Sequence, residues 1–365
     1  MNKFFTIPLL FFFLNCQDNI QKERLKGTLD FEPELTQQFF VAPNSIIQIQ
    51  GKKGTKIIFK IEDLEGILSG PNIKDSLLVN LIELTTKQDL LNANTQTVSN
   101  EKWLISGGAF KIEILVKNSS ESLTLKKGKT ISVQFPKSSN ENNMIIFYGA
   151  RDKDDNMNWE ETDINLEEKK FYSLFYTSQS FIDTISSSLY GVDMYYNEID
   201  TLGYLSLSEY KYIYPKIDSL YVVNDTLSNL KSWKTYEDML ANISQSQLMY
   251  NSFYNSIETS KLGWINIDKF APNEEKIKIK LELSTDLDAI QTYIIDKKNN
   301  TVLNVENNEV EIPVNRSFFI ISFGLVDDVF YASKKSVRFN ESKTHTIEFK
   351  KLKNSQQMKS FLKLK

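Results

Sequence analysis

Cysteine and histidine are almost missing from this 365-residue chain: Cys16 and His345 are the only ones. One cysteine permits no internal disulfide, no zinc–thiolate cluster and no cysteine–histidine dyad. One histidine leaves no multi-histidine metal site. His345 falls in the run Lys343–Ile347, at an expected exposed strand position, which predicts a surface role. Arginine is scarce as well. Arg24, Arg151, Arg316 and Arg338 are outnumbered by lysines, which present a point charge in place of a planar fork. With a net charge of −4 there is no concentrated cationic surface of the kind nucleic acid requires, so no nucleic-acid partner is expected. A phosphate loop is absent too, since Gly51, Lys52, Lys53, Gly54 and Thr55 lack both the length and the Gly-Lys-Ser/Thr ending. Beyond Cys16 no apolar run approaches the about 20 residues that cross a bilayer.

What is present begins at the N-terminus. Lys3 supplies positive charge, Phe4–Leu14 is almost continuously apolar, and Asn15 precedes Cys16. A charged start, a short apolar core and an early end predict a secretory signal peptide over residues 1–15. The stretch Phe13–Cys16 resembles the lipobox of bacterial lipoproteins, in which the cysteine is acylated and becomes the mature N-terminus. Phe13 stands where leucine is commonest and Asn15 where a small residue is commonest, the looser form familiar in Bacteroidota. The resemblance implies lipidation (palmitate) at Cys16, a membrane reached through the N-terminal lipid, and a cell-envelope location at the outer membrane, periplasmic or surface-facing. Two or more acyl chains suffice for stable anchoring. The alternative is an ordinary signal peptide cut nearby, which leaves a free thiol.

Residues 16–38 are polar and charged with few apolar residues in phase, which predicts a flexible tether. Residues 39–150 read as β. Lys56–Ile61 alternates, Leu77–Leu84 is densely apolar, and Phe110, Ile112, Ile114 and Val116 share one face. Short strands at turn-rich spacing predict an antiparallel sandwich, with Thr86–Asn92 as a short helix or an irregular crossing segment. Residues 151–260 are rich in Tyr, Ser, Asn and Asp and predict an irregular, aromatic-rich segment with some helix, best over Tyr236–Ser256. Alternation returns over 261–350, notably Lys276–Leu283, with a hairpin turn at Asn299 and Asn300; this predicts a second β-sandwich. Residues 351–365 form a basic tail of helical character. The expected fold is therefore mainly β: two β-sandwich domains joined by an irregular, partly helical middle segment, with a short C-terminal helix.

Four stretches carry a family resemblance: Gly51–Phe59, Val79–Thr85, Ser106–Glu113 and Leu125–Pro136 resemble the ZU5-like β-domain of exported Bacteroidota proteins. The run Leu262–Phe270, which reads Leu-Gly-Trp-Ile-Asn-Ile-Asp-Lys-Phe, is similar to a signature that follows such domains. The likeness covers about two thirds of the chain and departs after Phe59, where Lys60–Leu64 replaces the family's Pro and small-residue pair. It implies β-sandwich modules on an exported tether, in a binding or structural role, and carries no defined activity.

Candidate chemistry is sparse. Asp152, Asp154, Asn156 and Asn158 set oxygen ligands at alternate positions, with Asp163 eleven residues after the first, as in a Ca²⁺ loop. Met157 stands where glycine makes the sharp turn, and a solvated hairpin tip accounts for the loop equally well. Beyond this Ca²⁺ reading no cofactor is expected. Acids are plentiful, but no spacing marks a carboxylate pair of the kind glycoside hydrolysis uses. Tyrosines between Tyr195 and Tyr236, with Trp233, suit either a binding surface or core packing. Five triplets read Asp, hydroxyl residue, apolar residue, with hydroxyls Ser76, Thr184, Thr201, Ser219 and Thr226. They are similar to the O-glycosylation motif of exported Bacteroidota proteins, and turn chemistry is the plainer reading.

The expected function is a membrane-anchored cell-envelope lipoprotein with a non-catalytic binding or structural role and an unidentified protein or glycan ligand. The alternatives are an envelope carbohydrate-active hydrolase using paired carboxylates, and a Ca²⁺-dependent adhesin.

Overall fold

The computed structural model describes residues 21–66, 77–166 and 253–364, apart from residues 28, 30, 43–45, 118–121, 139–140, 154, 285, 306, 341–343 and 354. Over these residues the chain is mainly β. Residues 21–27 are helical, and α1 (Glu32–Leu35) precedes β1 (Gln37–Val41), β2 (Ile46–Gln50), β3 (Lys56–Lys60), β4 (Leu64–Glu65) and β5 (Leu77–Leu84). Next come α2 (Lys87–Asn92), β6 (Val98–Ser99), β7 (Lys102–Val116), β8 (Thr124–Leu125), β9 (Ile131–Gln134), β10 (Ile145–Arg151) and β11 (Met157–Asn165). After residues 167–252 the chain continues as β12 (Ile257–Thr259), β13 (Gly263–Phe270), β14 (Lys276–Leu283), β15 (Ala289–Asp296), β16 (Val302–Asn304) and β17 (Glu309–Pro313). It finishes with β18 (Arg316–Val326), β19 (Val329–Phe339), β20 (Thr344–Ile347), β21 (Lys350–Lys351) and α3 (Ser355–Leu362).

The principal sheets stack as layers. One carries the order β1-β5-β7-β13-β10-β11 with β6 beside β7, and faces a sheet ordered β12-β9-β3-β2. Period-2 alternation puts Ile47, Ile49, Ile57, Phe59 and Val133 of the smaller sheet against Val79, Phe110, Ile112, Ile114, Ile265 and Ile267 of the larger. A second pair, β17-β14-β20 and β16-β15-β18-β19-β21, encloses Ile279, Leu281, Ile312, Ile294, Phe318 and Ile320. Along β14 the apolar residues turn inward while Lys278 and Lys280 between them are exposed. β14 and β20 run parallel, and the other strand pairs are antiparallel.

A third core lies between the two sheet pairs. Ile82, Leu84, Leu104, Phe147, Trp159 and Trp264 from the first meet Tyr293, Ile295, Ile321, Phe323 and Leu325 from the second. β18 is thus buried on both faces, which explains its apolar run Phe318–Ile321. Hydrogen bonds to backbone carbonyls join the same surfaces. Thr97 N donates to Val302 O (2.8 Å), Ser106 N donates to Asn300 O (3.0 Å), and the Thr301 hydroxyl donates to Leu104 O (2.8 Å). α2 seals one margin with Leu90 and Leu91 and starts on a capping box between Thr86 and Asp89. α3, the expected C-terminal helix, buries Met358 and Leu362 in this core.

Two expectations meet a different arrangement. Residues 21–38, expected as a tether, contribute Leu25 and Leu29 to the shared core, form α1 and begin the edge strand β1. Leu25 and Leu29 seat the segment on that core, and the polar residues around them hide that signal in the sequence. The run Gly263–Phe270, expected to open the second sandwich, instead lies between β7 and β10 in the largest sheet. Residues 167–252, which contain most of the expected middle segment, leave from β11 and return to β12, both within the first sheet pair, and lie outside the described residues. Among the described residues no helix is long and apolar enough to cross a membrane.

Candidate functional site

Strand register builds a row of side chains on the face of the largest sheet that meets the shared core. Lys111 pairs with Trp264, Trp264 with Gly149, and Gly149 with Trp159. A Cβ on Gly149 would stand 2.3 Å from the Trp159 ring, so only glycine leaves room for that indole. Trp159 and Trp264 consequently meet edge to face, with centroids 6.3 Å apart and planes at 86°. Trp159 is held by a 2.7 Å bond from its indole N–H to Gln96 O.

Arg151, two residues beyond Gly149 on β10, crowns this row. Its Nη2 donates to Glu32 Oε1 (2.6 Å) and Ala93 O (2.7 Å), and its Nη1 to Asn94 O (2.9 Å) and Asp155 O (3.1 Å). The guanidinium carbon lies 5.5 Å from the Trp264 centroid, and Lys111 Nζ lies 5.6 Å from the same centroid. Lys111 also stands 3.4 Å from Glu32 Oε2 and 3.2 Å from Glu113 Oε1. One carboxylate therefore spans two cations beside an indole, an arrangement that combines ion pairing with cation–π attraction.

Asn94, held at φ 46°, is the hub at the rim. Its amide donates to Asp155, and its Oδ1 accepts from Gln96 (2.8 Å) and from the Tyr293 hydroxyl (3.1 Å). Burial, and secondarily the charge of Asp155, pushes the Tyr293 phenol above its ordinary range, so it acts as a neutral donor. These groups border a cleft of about 170 Å³, with Lys26, Leu29 and Gln291 also in its wall. A shallower recess of about 350 Å³ adjoins it through Lys26 and Gln291 and reaches Lys22, Asn156, Asn304 and Asn307. The site suits holding an anion in place; Arg151 and Lys111 supply the charge and the amides supply orientation.

A second polar cluster is closed to solvent. At a bulge where Gly107 and Gly108 face Ile267, Ser106, Asn266 and Asp268 are fully buried. A Cβ on Gly107 would meet Ile267 O at 3.0 Å, and Gly108 has φ 128°. Asn266 donates to Asp268 Oδ2 at 2.6 Å. Burial lifts the Asp268 carboxyl to about 8, against the opposing pull of nearby Ser106, Asn266 and the Gly107 N–H.

The residues singled out in the sequence fall elsewhere. Asp152 and Asn156 share the β10–β11 hairpin, where Asn156 N donates to Asp152 Oδ1 at 2.9 Å. Asn156 Oδ1 accepts from Asn304, and Asn158 exchanges bonds with Asn100. Asp163 lies five residues further along β11, about 17 Å away at the rise of an extended strand, so the structure does not bring it to the hairpin. Asp154 lies outside the described residues, as do Cys16, Ser76, Thr184, Thr201, Ser219 and Thr226. Among the described residues no three His, Cys, Asp or Glu gather as a metal site. His345 sits on β20, half-buried, with its ring against Phe339 at 4.7 Å. Glu32, Lys111 and Tyr293 carried no sequence signal. Arg151 did, as a rare arginine in a lysine-rich chain, and Trp264 lay in a run noted only for its resemblance.

The fold and cleft together define a mainly β protein of stacked sheets with a cationic, indole-floored recess between the inner layers. Compared with protein families, with curated proteins and with solved structures, the chain matches none.

Proposed function

We propose that this chain is a cell-envelope lipoprotein of ZU5-like type, built of two sandwich modules and anchored through acylated Cys16, whose role is binding and not catalysis. The supporting observation is the cleft itself. It holds a carboxylate between Arg151 and Lys111 over Trp264, and among the described residues its lining acids, Glu32 and Asp155, are both engaged with Arg151.

The test is mass spectrometry of the protein extracted from its native membrane, paired with incubation of the purified protein with envelope polysaccharide. An acylated Cys16 at the mature N-terminus and no new reducing ends are expected. A free thiol, or an N-terminus beyond Cys16, would remove the anchor; released sugar ends would remove the non-catalytic role.

A further inference from the structure

We infer that the cleft at Arg151 is a receptor for the carboxylate of a sugar acid, and that Glu32 of the N-terminal segment occupies the carboxylate position in cis. This rests on the binding role proposed above and names its ligand class.

Glu32 behaves as a bound carboxylate. It comes from a four-residue helix outside both sheets, yet its two oxygens divide between Arg151 Nη2 at 2.6 Å and Lys111 Nζ at 3.4 Å. Those cations are set by strand register on β10 and β7, whereas Glu32 arrives from 119 and 79 residues away. Its neighbours Phe31 and Leu35 pack on the shared core, and the cleft is lined by polar groups together with an apolar surface made of Trp264, Leu29 and Ala93. That mixed lining suits a ring with one apolar face and hydroxylated edges.

Charge and size agree. Among the described lining residues, Lys22, Lys26, Lys111 and Arg151 outnumber Glu32 and Asp155 along the two joined recesses. The inner one, about 170 Å³, is smaller than the roughly 300 Å³ at which drug-sized pockets begin, which limits it to one small ligand unit. From there a relay of amides leads outward. Gln291 donates to Asn304 Oδ1 at 2.6 Å, and Asn304 donates to Asn156 Oδ1 at 2.9 Å. Amides offer both donors and acceptors, as successive sugar hydroxyls require.

The test is calorimetric titration of the full-length protein in detergent with D-galacturonate, trigalacturonate and neutral D-galactose. Both acids should bind and galactose should not. Glu32→Gln should tighten galacturonate about tenfold by removing the internal competitor, and Lys111→Gln should weaken it about tenfold. A trimer that binds more tightly than the monomer identifies a glycan end as the source, and equal affinity identifies the free sugar acid. Melting curves accompany each variant, so that a lost signal is not confused with unfolding. The inference is overturned if neither acid binds wild type or a folded Glu32→Gln, if galactose competes equally, or if only a peptide copying residues 31–36 binds Glu32→Gln. None of these outcomes touches acylation at Cys16 or the absence of released sugar ends, so the broader reading stands or falls separately.

Discussion

Arg151 donates to Glu32 at 2.6 Å and so ties the end of β10 to a segment 119 residues earlier in the chain. The same guanidinium satisfies the carbonyls of Ala93, Asn94 and Asp155, with its side chain only 18% exposed. Replacing it would leave one carboxylate and three carbonyls short of a donor at once. Arg151→Met is expected to lower unfolding free energy by about 2–3 kcal/mol, the partial exposure keeping the loss below that of a fully buried pair. Urea denaturation reads the loss. Hydrogen exchange should show it as lost protection over residues 31–36, and an unchanged exchange pattern would sever the link.

Leu25 separates a docked N-terminal segment from a tether. It is 2% exposed within the shared core. Leu25→Ala is expected to cost about 2 kcal/mol, at the low end for core leucines because a terminal helix can readjust. A free tether would show no change in the urea midpoint.

Glu83 organises the turn after β2. It accepts from Lys53 N (2.8 Å), Thr55 N (2.9 Å) and Gln37 Nε2 (2.7 Å) while almost fully buried. Glu83→Ala strands three donors and is expected to cost about 3 kcal/mol; Glu83→Gln, which keeps one acceptor oxygen, should lose less. Gly51→Ala should also destabilise, since its Cβ would fall 2.6 Å from the same carboxylate. Paired thermal melts of the three variants check the order.

Asp268 gives stability a pH dependence of defined sign. Its carboxyl ionises near 3.8 in the unfolded chain and about 8 in the folded protein. Between those values the folded protein holds a proton that the unfolded chain has released, so its contribution is full in acid and declines as pH rises toward 8. Above 8 both forms are ionised and the dependence ends. Asp268→Asn removes the ionisation while keeping the shape. The variant's urea midpoint should therefore gain on wild type from pH 5 to pH 9, and a constant gap would refute the raised value.

Much of the layer structure was legible in the order of residues. The Lys-Ile-Lys-Ile-Lys-Leu-Glu-Leu run of β14 folds as its alternation demands, and Phe110, Ile112 and Ile114 share the face their spacing assigns. The C-terminal helix likewise follows its apolar positions. The placement of β13 was not legible, because alternation says which side chains point together and nothing about which strand lies alongside. The segment at residues 21–35 was obscured for a related reason: its few apolar residues become a packing surface only when a core is present to receive them. The site was harder still to read. Glu32, Lys111, Arg151 and Trp264 are widely separated in sequence, and each alone is an ordinary surface or core residue.

The sequence by itself determined the period of the strands, the inward and outward faces, and the exclusion of disulfide, thiolate and multi-histidine chemistry, because these depend on local spacing and on which side chains exist. Only the tertiary structure decided that β13 enters the largest sheet, that Gly149 makes room for Trp159, and that Glu32 meets Arg151 and Lys111 over Trp264. Strand pairing and side-chain meeting are long-range events, whose free energy comes from burying surfaces that do not exist until the sheets have stacked.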